Sequence, residues 1–256
     1  MIGGDIGGGK TTMLNAMSLF IRPTLKIVSI EDTQEIRLPH QNWEMMVTRQ
    51  GLGTGAGAVG ETGLGSISMF DLLRAALRQR PDFIIVGEIR GEEAFVLFQA
   101  LATGHGGLTT LHADSLTYTV KRLTSHPMDV AEAYIPLLNV APLVERVKLP
   151  VTSKGGITFG RRIKTLTEIV DYENYKTISQ WNPVDDTFTV NLTESQLLKR
   201  IASRYGIPVE NILEEVASRA KFLRALKEKG VRRNVDLSKQ ITNYYNELNH
   251  LGLRRK

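Results

Sequence analysis

The sequence predicts an α/β fold built on a predominantly parallel sheet, and three observations lead there. Continuous runs rich in β-branched residues at 26–30, 83–86 and 108–111 have strand length and no polar alternation, the pattern of strands buried on both faces. Segments with helical spacing of apolar residues lie between them, giving a βαβ rhythm. A glycine-rich stretch, G-D-I-G-G-G-K-T over residues 4–11, runs directly into the first of those helical segments.

Taken in order, the first helix is expected over 11–21, and the run at 26–30 is the first long buried strand. Residues 51–65 hold seven glycines in fifteen positions with almost no bulky side chains, so they read as a loop or insertion. A helix over 69–78 follows Ser68, whose hydroxyl suits an N-cap. The strand at 83–86, a helix over 92–102, the strand at 108–111 and a helix over 115–124 continue the alternation. Beyond Pro150 the pattern changes: Gly155 and Gly156 suggest a hairpin turn, 161–170 a strand and 178–190 another extended region. Helices dominate from 193 onward, over 193–205, over 208–229 with Pro208 in the tolerant first turn, and over 236–251. In the second of these Ile212, Val216, Ala220, Leu223 and Leu226 share one face. The expected organisation is a core over 1–150, a small β appendage over 151–192 and a helical, basic region over 193–256.

Composition narrows the functional classes. A chain of 256 residues, 42% hydrophobic and 23% charged, is long enough to bury a sizeable core. The absence of cysteine excludes disulfides, thiol catalysis and cysteine-ligated metal centres, and it fits a reducing compartment. The longest apolar runs, such as 83–86, fall far short of the ~20 residues that span a bilayer, and no signal region opens the chain. A cytoplasmic protein is therefore expected. The net charge of +5 is unevenly placed: residues 221–256 carry ten Lys and Arg against three Asp and Glu, whereas the first 220 carry 22 against 24.

Chemistry concentrates in five places. The 4–11 stretch matches the phosphate-loop pattern, in which Gly4, Gly7, Gly8 and Gly9 let backbone N–H groups turn toward phosphates. Lys10 would reach the β/γ-phosphates and the Thr11 hydroxyl would hold Mg²⁺, with Thr12 beside it at the helix N-terminus. Glu31 and Asp32 close one buried strand and Glu88 closes another, which puts carboxylates at the sheet edge where α/β proteins bind ligands. Glu88 is the better candidate for holding Mg²⁺ or orienting a water. His105 and His112 flank the 108–111 strand; His112 leaves it on the ligand edge, and His105 sits on the entering side. Arg74, Arg78 and Arg90 are candidates to meet a transferred phosphate, including one held by a neighbouring subunit.

These residues, with D-L-L-R-A-A-L-R-Q-R-P-D-F-I-I-V-G-E-I-R over 71–90 and T-G-H-G-G-L-T-T-L-H-A-D-S over 103–115, resemble the type II/type IV secretion ATPase superfamily. Their order and spacing are most similar to its archaeal branch, which drives flagellum and pilus assembly or type II-like secretion. The resemblance implies a RecA-like P-loop NTPase core, a Walker A loop at 4–11, an acidic box at Glu31 and Asp32, and an atypical Walker B at Gly87 and Glu88. It also implies a histidine box at His105 and His112, with Glu88, Glu31 and His112 catalytic. ATP and Mg²⁺ are the implied ligands, and a homo-hexamer acting on a polytopic membrane platform protein is the implied assembly. The basic C-terminal region would add contact with an anionic membrane surface, and nucleic acid is not expected as a partner.

The sequence departs from the family pattern at Ile6 and Gly8, where Thr and Ser are usual. Only Met1, Ile2 and Gly3 precede the motif, so the first core strand is expected to be nearly absent. The chain is accordingly expected to be a piece of a longer protein with weak ATP turnover. Two other readings stand beside the motor: a ring subunit that binds nucleotide without hydrolysing it, and a DNA translocase on the same core.

Overall fold

The computed structural model describes residues 1–51, 65–150 and 158–250. Most of the glycine-rich stretch, the turn expected at Gly155 and Gly156, and Arg254 and Arg255 lie outside the described residues. The chain begins with β1 (Ile2–Gly4) and α1 (Lys10–Ser18), then β2 (Ile27–Glu31), β3 (Trp43–Val47), α2 (Met69–Arg78) and β4 (Phe83–Val86). It continues through α3 (Glu93–Ala102), β5 (Gly106–His112) and α4 (Leu116–Thr124). Four strands follow, β6 (Val140–Lys148), β7 (Phe159–Asp171), β8 (Asn174–Asn182) and β9 (Thr187–Val190), and then α5 (Gln196–Tyr205), α6 (Val209–Glu228) and α7 (Asn234–His250).

All the described strands join one sheet in the order β3-β2-β4-β5-β1-β6-β7-β8-β9. Neighbours are parallel from β3 to β6 and antiparallel from β6 to β9. The class is α/β with a predominantly parallel core, as the alternation of runs predicts. Its energetic basis shows in β4, where alternate side chains serve opposite faces. Ile84 and Val86 enter a cluster with Leu73, Phe98, Leu111 and Leu123. Ile85 enters the cluster on the other side with Ile2, Leu14, Ile27 and Val144. Both faces are dry, which is why the strand reads as an unbroken apolar run.

Several elements differ from expectation. The first core strand, expected to be nearly absent, is present as three buried residues between β5 and β6, with Ile2 opposite Thr110 and Gly3 opposite Leu143. Two strands occur where the sequence reading places none. β3 is an edge strand with largely exposed side chains and no alternation, and β6 carries Pro142, Glu145 and Arg146, which mask its pattern. The extended region at 178–190 divides into β8 and β9 around a turn that puts Asp186 at φ 58°. In α6 the expected apolar stripe is only partly covered: Leu226 is buried, whereas Leu223 is exposed. Ser68 caps α2 as expected, accepting from the Asp71 N–H while the Asp71 carboxylate accepts from the Ser68 N–H in return. No described helix is long and apolar enough to cross a membrane.

Candidate functional site

The C-terminal ends of β1, β2, β4 and β5 meet at one edge of the sheet, and a cleft of about 850 Å³ opens there. One wall is the loop from Gly4 to Thr11. Gly9 is the N-cap of α1 at φ 101°, a left-handed conformation that favours glycine, so the helix begins with its free N–H groups at the cleft. Gly4 and Gly8 are glycines for a different reason. A Cβ on Gly4 would stand 2.1 Å from the Val144 carbonyl oxygen, and one on Gly8 2.9 Å from it, because the loop lies directly on β6. Gly4 and Gly8 therefore shape the loop from behind, while Gly7, Gly9, Lys10, Thr11 and Thr12 line the cleft. Lys10 Nζ donates to the Gly4 carbonyl at 3.0 Å and the Asp5 carbonyl at 3.1 Å, which holds the ammonium against its own loop.

The acidic wall comes from the adjacent strand ends. Glu31 is 3% exposed; its Oε1 accepts the Glu35 and Ile36 backbone N–H groups at 3.0 and 2.9 Å, and its Oε2 is buried with no partner among the described residues. Burial pushes the Glu31 carboxyl above its ordinary range, and the two backbone N–H bonds oppose that rise. Glu88, half-buried, stands across from it and accepts Arg90 Nη2 at 2.5 Å and Nε at 3.1 Å. Arg90 also lies 3.9 Å from Asp32, whose other oxygen accepts from the Thr48 hydroxyl at 3.1 Å. The turn that carries Glu88 is held by buried Glu93, which accepts the Arg90 and Gly91 N–H groups at 2.5 and 2.9 Å. Thr110 donates to the Gly87 carbonyl at 2.7 Å from below. A side chain at Gly87 would press on Glu31, with its Cβ 3.1 Å from Cγ, so glycine there lets the two acidic strand ends approach.

His112 reaches the cleft at the end of β5, as its position on the ligand edge predicts. His105 does not: it precedes the other end of β5, and its Nδ1 lies 3.1 Å from the Thr103 hydroxyl and 3.0 Å from the Ala100 carbonyl, a C-terminal cap for α3. Along a seven-residue strand the two histidines are separated by about 20 Å. Arg74 and Arg78 are likewise outside the cleft, exposed on α2, with the Arg74 guanidinium 5.6 Å from the Phe70 ring centroid.

Two cationic lining residues were not singled out from the sequence. Arg122 on α4 donates to the His112 carbonyl at 2.6 Å, and Arg161 on β7 donates through Nε to the Gly7 carbonyl at 2.9 Å. Neither belongs to a motif, and only the folding of α4 and β7 against the site brings them there. Among the described residues no three histidine or acidic side chains converge as a ready metal site. The Thr11 hydroxyl and the Glu88 carboxylate, which both line the cleft, fit a cation whose remaining ligands come with a phosphate.

The family model described as "Type II/IV secretion system protein" matches residues 1–149. The protein MJ1287 of Methanocaldococcus jannaschii is 48% identical over 232 residues, covering 88% of this chain and 80% of that protein. The type IV secretion system protein PtlH of Bordetella pertussis is 37% identical over 169 residues, covering 64% of this chain and 48% of PtlH. The VirB11 ATPase of the Brucella suis type IV secretion system, solved with sulphate, is 27% identical with a TM-score of 0.47, covering 65% of this chain and 47% of that one. The chain thus spans most of MJ1287 and about half of the other two.

Proposed function

The chain belongs to the type II/IV secretion system protein family, and from that premise we propose that it is an ATP-hydrolysing motor domain of a secretion, pilus or archaeal flagellum assembly machine. The observation that carries this reading is the convergence of the phosphate loop, Glu31, Asp32, Glu88 and His112 on a single cleft. The division into a motor core at 1–150, a β appendage at 151–192 and a helical region at 193–256 is part of the same reading, supported by a family match that ends at residue 149.

In this mechanism the N–H groups of Gly7, Gly9 and Lys10 at the start of α1 bind the nucleotide's phosphate oxygens, favoured by the helix dipole. Lys10 exchanges the Gly4 and Asp5 carbonyls for phosphate oxygens, a stronger partner for an ammonium. Glu88 exchanges Arg90 for the attacking water, which it orients and deprotonates as the terminal phosphoryl group departs. Mg²⁺, held by Thr11 and Glu88 together with phosphate oxygens, would neutralise the charge of the triphosphate. His112 donates to the terminal phosphate from the β5 edge, and Glu31 supports the wall from behind. Arg74 and Arg78, exposed on α2, are free to meet the phosphates of a neighbouring copy in a homo-hexameric ring. Ring closure would then pass to a membrane platform protein, with the basic C-terminal region on anionic lipid.

The test is phosphate release by the full chain. Glu88→Gln and Lys10→Ala should each lower the rate by about 100-fold or more. A parent no faster than both variants would overturn the motor. For the membrane contact, replacing Arg232, Arg233, Arg254 and Arg255 with Glu should abolish flotation with phosphatidylserine vesicles; unchanged flotation would exclude that role. The DNA translocase reading finds no support in the two tyrosines of the basic C-terminal region. Tyr244 packs on Phe222 with ring centroids 4.7 Å apart, and the Tyr245 hydroxyl donates to the Phe20 carbonyl at 2.9 Å.

A further inference from the structure

Arg161 is 154 residues from the loop it touches, and its side chain closes the cleft from the antiparallel half of the sheet. Its Nε donates to the Gly7 carbonyl at 2.9 Å. Its methylene stem occupies the space above Gly9, where a Cβ would stand 2.9 Å from Cδ. Position 9 needs glycine for its left-handed φ, and the missing side chain leaves the room that the Arg161 stem takes. The two terminal nitrogens of the guanidinium have no hydrogen-bond or ion-pair partner among the described residues. They leave a fork of N–H donors at a cavity whose other walls carry Lys10, Thr11 and Glu88.

The neighbouring residue fixes the geometry. Side chains alternate along a strand, so Arg161 and Arg162 point to opposite faces. Arg162 is pinned on its face by Asp186, with Nε to Oδ1 at 2.7 Å and Nη2 to Oδ2 at 2.6 Å, and Trp181 Nε1 donates to the same carboxylate at 2.8 Å. The pairing with Arg162 and Trp181 holds the Asp186 carboxyl down to about 2, so the clamp is ionised throughout the physiological range. A bidentate ion pair on one side of β7 thus aims the unpaired guanidinium on the other.

We infer that Arg161 is a phosphate-binding residue: its Nε keeps hold of Gly7 while its terminal nitrogens take oxygens of the bound polyphosphate. The inference rests on the nucleotide reading of the cleft and extends it to a residue outside the phosphate-loop motif. A planar fork suits two oxygens of one phosphate group, a geometry that lysine lacks.

The experiment is equilibrium binding of fluorescent ATP to the full chain, with competition by inorganic tripolyphosphate. Arg161→Ala and Arg161→Gln should each weaken both ligands by about 10- to 100-fold, the range for a lost charge-assisted hydrogen bond. Arg161→Lys should recover only part of that loss. Since Arg161 is exposed, circular dichroism and melting should match the parent, and Arg161→Gln keeps the stem out to the position of Nε if truncation disturbs β7. Lys10→Ala separates this inference from the reading beneath it. If Lys10→Ala abolishes binding while both Arg161 variants stay within twofold of the parent, Arg161 is a loop brace and the inference falls. If Lys10→Ala binds like the parent, the nucleotide reading falls with it. Whether the loss belongs to Arg161 itself and not to the neighbouring clamp is checked with Asp186→Asn, which should weaken tripolyphosphate less than Arg161→Ala; an equal or greater loss would mean that the clamp, not the guanidinium, carries the effect.

Discussion

At the residue scale, the cleft places two carboxylates in opposed environments. Glu88 is paired with a guanidinium, whereas Glu31 is sealed from water with one oxygen unsatisfied, and burial raises its pKa. A carboxyl whose folded pKa lies above its ordinary 4.5 contributes stability that is fully present below that value and is lost as pH rises through the folded pKa. Glu31→Gln keeps an oxygen for the Glu35 and Ile36 N–H groups and removes the buried charge. The variant should therefore melt above the parent at pH 7 to 8, and the difference should shrink as pH falls toward 4.5; a gap that widens on acidification would contradict the sealed carboxylate. Sequence reasoning could find Glu31 and Glu88 because each ends an apolar run, and a strand end has a predictable edge. It could not grade their environments, since Glu31 is sealed by the 35–36 backbone and by Gly87, contacts made across three different segments.

At the element scale, β7 ties the antiparallel half of the sheet to both ends of the molecule's chemistry. Its Arg161 reaches the phosphate loop, and its Glu168, 5% exposed, caps α5. The Glu168 carboxylate accepts from the Ser195 hydroxyl, from the Gln196 N–H at 2.8 Å and from the Leu197 N–H at 3.2 Å, meeting donors that the first turn of any helix leaves unpaired. Glu168→Ala should cost about 2 kcal/mol in urea denaturation, the sum of a lost cap and newly unsatisfied buried donors. Ser195→Ala, which leaves the carboxylate in place, should cost only about 1 kcal/mol. Equal stability of Glu168→Ala and the parent would mean that α5 is held by packing alone. Helix limits were the most legible elements, α2 above all, because Ser68 and Asp71 form a local box within four residues. β3 and β6 were illegible because their pairing partners, not their own alternation, make them strands.

At the scale of the whole molecule, ligand binding and stability are linked through the loop that sits over the centre of the sheet. β1 is flanked on both sides and its last residue, Gly4, begins the glycine-rich loop, so a ligand that binds the loop also steadies the middle of the sheet. ATP with Mg²⁺ at about 100 times its Kd should add about 2.7 kcal/mol, a rise in Tm of roughly 5–10 °C for a chain of this size. Lys10→Ala should melt near the parent without ATP and show no rise with it; an undiminished shift would place ATP elsewhere. The sequence by itself determined the α/β class, the glycine-rich loop that enters α1, the acidic strand ends and the histidine at the end of β5, because each depends on residues close together in the chain or on the face an apolar run must bury. Tertiary structure alone decided that β7 supplies Arg161 to a loop 154 residues earlier in the chain, that Arg122 holds the end of β5, and that His105 stands away from the cleft. Those outcomes follow from sheet order and strand register, which bring distant segments to one edge by pairings that no local pattern records.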